Sequence, residues 1–410
     1  MLAFMLPDHG AETPGMGRAW AEHPSWELVD AASDAAGLDI GALLLTASTR
    51  ELAALHNAQL ATFVLSLVAV DAAERTGLAP MAITGYGLGE YTALVAAGAL
   101  DFEDGVRLVL ERGESVREFA MTPCATAVVL GLDDCDVEAA CARAEGGVWV
   151  AGYDAPGRVV IAGTAEGVSL ACVVATSLGA TDAVVLPSTG GLHTPLLSSA
   201  RDRLRKVLAS TSFHDSDPVV VANVDARHHA EPSEWPGLLS AQLCAPVRWR
   251  RSVEALFEDG VRTFVEFGAG YALAEATRQS FAPMAVQTHC IASPHDLEVL
   301  VERLITTPSI RRTEVADHDQ LAGRLVVVVS PGAGPFQPAP SVAHATPQLA
   351  ALRNSEDPAT SEPEVQVGEL IGWVGGEEVR SGFAGTLGGL LVISGERVMS
   401  SQPVAWLRVA

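Results

Sequence analysis

The chain has 410 residues, 49% hydrophobic and 19% charged, which is enough to bury a sizeable core and to divide into two or three domains. A formal charge of −24, from 50 acidic and 26 basic residues, argues against nucleic acid or an anionic membrane as a general partner. The basic residues are nearly all arginine; Lys206 is the sole lysine, so cofactors that attach through lysine have one possible anchor.

The start, MLAFMLPDHG, lacks the basic lead-in and the length of a signal peptide, and no run reaches the ~18 apolar residues of a membrane span. The chain is expected to be soluble and cytoplasmic. Leu2–Leu6 reads as a strand running through Pro7 into a loop, Asp8-His9-Gly10, at the edge of a sheet. Trp26–Ala36 and Glu51–Leu55 suit helices, and Ala58–Thr76, apolar at nearly every position, reads as a buried helix stopped by Gly77 and Pro80. After the apolar run Met81–Ile83 comes GYGLGEY, Gly85–Tyr91, the outline of a nucleophile elbow, G-x-S-x-G, with Gly87 in the serine's place. A helix over Phe102–Phe119 follows.

Strands at Ala125–Leu130, Val148–Ala151, Val159–Ala162 and Ala183–Leu186, interleaved with helices at Val137–Ala144 and Ala165–Leu178, give the split βαβ order of a ferredoxin-like insertion. The chain then returns to the larger domain: helix 195–209, strand Val219–Val224, helices 235–243 and 249–259, and strand Thr263–Phe267. Strands alternating with helices imply an α/β fold with a largely parallel sheet. Residues 307–321 read as a linker, 343–363 as disordered, and the rest of 322–410 as short strands of a small all-β domain. The six cysteines, Cys124, Cys135, Cys141, Cys172, Cys244 and Cys290, have no metal-ligand spacing and read as buried reduced thiols.

The first ~305 residues resemble malonyl-CoA:acyl carrier protein transacylases and polyketide synthase acyltransferase domains. The likeness runs through Leu6–Glu12 (LPDHGAE), Gly85–Tyr91, Val106–Gly113 (VRLVLERG), Val159–Gly163, Leu192–Leu197 (LHTPLL), Asn223–Asp225, Gln242 with Pro246–Trp249, and Glu266–Gly270. It implies an α/β-hydrolase-like large domain (1–122 and 187–306) with the ferredoxin-like subdomain at 123–186. In that family the elbow serine takes an acyl group from coenzyme A and passes it to a carrier protein's phosphopantetheine thiol. Carried over, His193 matches the base and Gln242 its orienter through a backbone carbonyl. Arg112 matches the clamp for a malonyl-type carboxylate, and the amides of Leu88 and His9 match the oxyanion donors. Gly87 leaves the nucleophile position vacant, so the usual acyl-enzyme cannot form there.

Positions 8, 9, 86 and 87 depart from the pattern together. Tyr86 and His9 bring a phenol and an imidazole that serve either acid–base work or space-filling, and Ser188 and Thr189 are further hydroxyls near His193. The two basic clusters, Arg201–Lys206 and Arg248–Arg251, are either solvated helix faces or docking sites for an acidic carrier; the first is expected to form one face. The tail resembles a biotin carboxyl carrier or lipoyl-type domain, but the stretch matching its attachment hairpin, Gly372–Val379, has no lysine. The resemblance therefore implies neither biotin nor lipoate and suggests a docking or dimerisation element. For the whole chain it leaves three readings. One is an acyltransferase-family protein of polyketide or fatty acid biosynthesis that transfers, hydrolyses or decarboxylates acyl-CoA or carrier-bound thioesters without a serine intermediate; another is an inactive pseudo-acyltransferase that binds a carrier protein or synthase subunit as a scaffold; the third is a sensor that binds acyl-CoA without chemistry.

Overall fold

The computed structural model describes residues 1–119, 123–186, 191–229, 231–281, 285–306, 325–331, 334–342, 364–390, 394, 397–398 and 403–408. The predicted linker 307–321, the segment 343–363, Ser188 and Thr189 lie outside them. The chain divides into two units, Met1–Glu302 and Arg303–Ala410.

In the first unit β1 (Leu2–Leu6), β2 (Ala82–Gly85), β3 (Cys124–Leu130), β4 (Val148–Ala155), β5 (Arg158–Thr164), β6 (Asp182–Leu186), β7 (Val219–Val221), β8 (His228–His229), β9 (Thr263–Phe267) and β10 (Gln287–Ile291) form two sheets. The larger has the order β10-β9-β1-β2-β7-β8, parallel except for the edge strand β8. β1 is therefore an interior strand rather than one leading to a sheet edge, consistent with its uninterrupted apolar run, since strands covered on both faces need not alternate. Helix Leu55–Arg75 is the one described helix long and apolar enough to cross a membrane, and it is packed within the unit. β7 stops three residues earlier than its sequence suggests: Asn223 leaves the strand to hold the elbow.

The smaller sheet is antiparallel in the order β4-β5-β3-β6, with helices Asp134–Arg143 and Ala165–Ser177 over it, which is the arrangement of a split βαβ module. Two backbone hydrogen bonds, Val247 N to Ala151 O and Tyr153 N to Val247 O, stitch it to the larger part of the unit, both 2.9 Å.

The second unit, described by itself, contains β11 (Leu325–Val329), β12 (Gly334–Pro338), β13 (Glu364–Val365), β14 (Leu370–Val374), β15 (Glu377–Arg380), β16 (Gly385–Leu390), β17 (Arg397–Val398) and β18 (Pro403–Arg408). They make two antiparallel four-stranded sheets, β11-β18-β16-β13 and β15-β14-β12-β17, around Phe336, Ile371, Val374, Leu387, Val404 and Leu407. β14 and β15 are joined by Gly375-Gly376, both at positive φ, as a two-residue hairpin turn requires.

Candidate active site

The elbow is a strained connection held from three sides. Gly87 has φ +55° and ψ −111° between β2 and helix Leu88–Ala96, a conformation that L side chains rarely adopt. Gly89 lies so close to β1 that a Cβ there would meet Leu6 O at 2.0 Å. The Gly87 N–H donates to Asn223 Oδ1 at 2.8 Å, and the Gly87 carbonyl accepts from Gln242 Nε2 at 2.6 Å. Asn223 Nδ2 donates to Gly85 O at 2.5 Å. Beneath them Glu90, fully buried, accepts from the Asn223 N–H (2.7 Å) and Gln242 Nε2 (2.6 Å). Burial pushes its carboxyl up to about 7, against the lowering effect of those two hydrogen bonds.

His193 is buried and sits at φ +61°. Its Nδ1 faces Gln242 O at 2.8 Å. A ring nitrogen facing a carbonyl carries the proton, so in the neutral ring Nε2 is the acceptor. Nε2 is buried, has no hydrogen-bond partner among the described residues, and lies 4.0 Å from Asp8 Oδ2.

Position 87 has no side chain, but its space is filled. The Asp8 carboxylate projects into it: a Cβ on Gly87 would stand 2.4 Å from Asp8 Oδ2, 2.8 Å from its Cγ and 3.0 Å from His193 Nε2. Asp8 Oδ1 accepts from the backbone N–H of His9 (2.9 Å) and of Leu88 (3.2 Å), and His9 Nδ1 lies 2.7 Å from the same oxygen. The expected vacancy is thus corrected, and both expected oxyanion donors already have an anion. Burial is the largest single influence on Asp8 and opposes its charge. Together the His9 charge, the nearby His193 imidazole, the His9 hydrogen bond and the Arg112 charge nevertheless hold the carboxyl well below its usual range. For His9 burial again opposes the charged form, and Asp8 outweighs it and raises the imidazole.

These groups open onto a cleft of about 460 Å³ between the two sheets of the first unit, lined by Asp8, His9, Tyr86, Leu192, His193 and Trp249 on one side and by Val128, Ala151, Asp154, Arg158 and Val160 on the other. The family model of the acyl transferase domain matches residues 4–304. The chain belongs to the acyl transferase domain family. The malonyl CoA-acyl carrier protein transacylase of Bacillus subtilis (strain 168) is 33% identical over 309 residues, 74% of this chain and 97% of that protein. Among solved structures, an acyl-carrier-protein S-malonyltransferase from Burkholderia pseudomallei has 34% identity and a TM-score of 0.70, covering 73% of this chain and 99% of its own. A malonyl-transacylase in complex with a type II polyketide synthase acyl-carrier protein has 30% identity and a TM-score of 0.71, covering 74% and 99%.

Arg112 is fully buried and does not line the cleft; its guanidinium lies 5.8 Å from the Tyr91 ring centroid, and none of its nitrogens has a hydrogen-bond partner among the described residues. Tyr86 reaches the cleft, but its hydroxyl donates to Asp154 Oδ1 at 3.0 Å, and Arg158 Nε donates to Asp154 Oδ2 at 3.3 Å. Burial, then the Asp154 charge, pushes the phenol well above its ordinary value, so Tyr86 stays protonated. The first basic cluster does not form one face. Arg203 turns to Glu111 and Arg201 pairs with Asp202, while Arg205 and Lys206 are exposed. In the second cluster Arg248 donates to Val224 O, Arg250 pairs with Asp134 on the helix over the smaller sheet, and Arg251 pairs with Glu254.

Sequence reasoning missed Asp8 as an occupant of the site, Asn223 and Glu90 as its supports, and the Asp154–Arg158 pair in the cleft wall. The available signal was the paired change: an acidic residue in the glycine's place of the first loop, together with glycine in the serine's place of the elbow.

Proposed function

We propose that this chain serves fatty acid or polyketide biosynthesis as an acyltransferase-family protein that takes an acyl thioester into the cleft and acts on it without an acyl-enzyme at the elbow. The thioester is borne by coenzyme A or by a carrier protein's phosphopantetheine arm. The observation that carries this reading is the His193 imidazole, fixed through Nδ1 on Gln242 O, with Nε2 turned toward a position that has no hydroxyl. A base so placed takes its proton from a mobile nucleophile, the carrier thiol or water. In transfer the sulfur attacks the thioester carbonyl carbon, the original C–S bond breaks, and the departing thiolate recovers the proton from Nε2. With water the products are a carboxylic acid and a thiol.

A carrier partner is supported by the relative solved with its acyl-carrier protein and by the exposed cations Arg205 and Lys206. The tail is read as a lipoyl-like docking or dimerisation element without biotin or lipoate, because its hairpin turn is Gly375-Gly376 and holds no lysine. Turnover of malonyl-, acetyl- and propionyl-CoA with a carrier protein bearing its phosphopantetheine arm tests the proposal. His193→Ala is expected to lower the rate by about 100-fold; no turnover of any thioester, or an unchanged rate in the variant, overturns it.

One observation favours a second reading, a pseudo-acyltransferase scaffold: the amides of His9 and Leu88 are already engaged by Asp8. That reading expects no turnover, and expects pathway output to fall when Arg205 and Lys206 are reversed in charge or residues 322–410 are removed.

A further inference from the structure

Oxyanion stabilisation requires N–H donors aimed at the oxygen of a reacting carbonyl and free to receive it. Here the two candidate N–H groups, on His9 and Leu88, converge on one point, and that point is Asp8 Oδ1, at 2.9 and 3.2 Å. The second carboxylate oxygen lies beside the elbow, 2.4 Å from where a Cβ on residue 87 would stand and 4.0 Å from His193 Nε2. The O–C–O group of Asp8 thus overlaps the place that the O=C–O group of an acylated serine would take.

We propose that Asp8 is a built-in ligand of the oxyanion hole, and that residues 8 and 87 form one exchange unit in which a carboxylate at 8 requires glycine at 87. The inference rests on reading the elbow as a thioester site, but not on the natural chain turning anything over. Its first consequence is competition: a thioester carbonyl can use these amides only when the carboxylate has left them. Its second is latency: a Cβ on residue 87 would lie 3.0 Å from His193 Nε2, so a serine hydroxyl there is within the base's reach once Asp8 is gone.

Three full-length variants, Gly87→Ser, Asp8→Gly and the double Asp8→Gly/Gly87→Ser, are incubated with acetyl-CoA and weighed by intact-mass spectrometry. In the double variant the introduced hydroxyl gives its proton to His193 Nε2, its oxygen bonds to the acetyl carbonyl carbon, the C–S bond breaks, and coenzyme A leaves as the thiol with that proton. An acetyl adduct is expected on the double variant, with about tenfold less or none on Gly87→Ser, where the charged carboxylate still holds the donors. Equal acetylation of Gly87→Ser and the double variant overturns the proposal, as does a folded double variant that takes no acetyl group.

Asp8→Gly alone covers the case in which the double variant does not fold. It is expected to bind acetyl-CoA about tenfold more tightly than the natural chain by calorimetry, and equal or weaker binding overturns the competition. Failure of the proposed function would appear instead as a natural chain without turnover, and would leave the adduct on the double variant intact.

Discussion

The turn at Gly87 and the turn at Gly375-Gly376 are both built on glycine at positive φ, yet their surroundings differ. Around Gly87 stand a carboxyl pushed up to about 7, an ionised carboxylate and a histidine at positive φ, each held by hydrogen bonds, with a buried arginine nearby. Gly376 has open space where its side chain would be, and its turn needs only two positive φ values. Burying ionisable groups costs free energy unless each is paired, and a turn kept only for shape has no use for them. The difference marks the elbow as a site whose electrostatic frame persists, and the hairpin as a connection.

The most direct way to break that contrast is to add one methyl group to each turn. Gly87→Ala is expected to lower the stability of its unit by roughly 4 kcal/mol, from backbone strain and from the clash with Asp8. Gly376→Ala is expected to cost its own unit about 1 kcal/mol. Urea unfolding, read on each unit's own transition, checks both; equal losses would end the distinction.

Next in size is the pH response of the elbow's frame. Because the folded state holds the Glu90 proton up to about pH 7, well above an unfolded glutamate, stability falls as pH rises from about 4.5 to about 7 and levels off above. The amplitude is roughly 3 kcal/mol, and Glu90→Gln should flatten it. Asp8 acts with the opposite sign. Its lowered carboxyl contributes stability that is present above the unfolded aspartate's range near pH 4 and is lost on further acidification. Thermal melts across pH, with and without each substitution, separate the two. The smallest effect is on the surface: reversing Arg205 and Lys206 to glutamate should weaken carrier binding at low salt by about tenfold. Unchanged binding by calorimetry would move docking to another surface.

Much of this arrangement was legible in the sequence because it depends on local pattern. The apolar run before GYGLGEY predicts strand then elbow, the alternation of strands and helices predicts a parallel sheet, and the split βαβ order over 123–186 follows from chain order alone. What escaped depends on direction. Asp8 is one residue of a loop, and nothing local says that its carboxylate turns across to residue 87. Asn223 follows three valines and an alanine and reads as more strand, but its amide is worth more at Gly85 and Gly87 than in a ladder. Gln287–Ile291, short and only partly apolar, gave no strand signal, although pairing with β9 makes it one. The basic cluster Arg201–Lys206 reads as one helix face, but the helical turn of 100° per residue sends Arg203 to the opposite side from Arg201, where Glu111 on the neighbouring helix meets it.

The central claim is that acyl groups pass through this site without being bonded to it. Incubating the full chain with malonyl-CoA and a carrier protein bearing its phosphopantetheine arm, then weighing both proteins intact, tests it most directly. The account predicts a malonyl gain on the carrier and an unmodified mass for this chain. An acyl adduct on this chain, or a carrier left unchanged by every acyl-CoA offered, would contradict it.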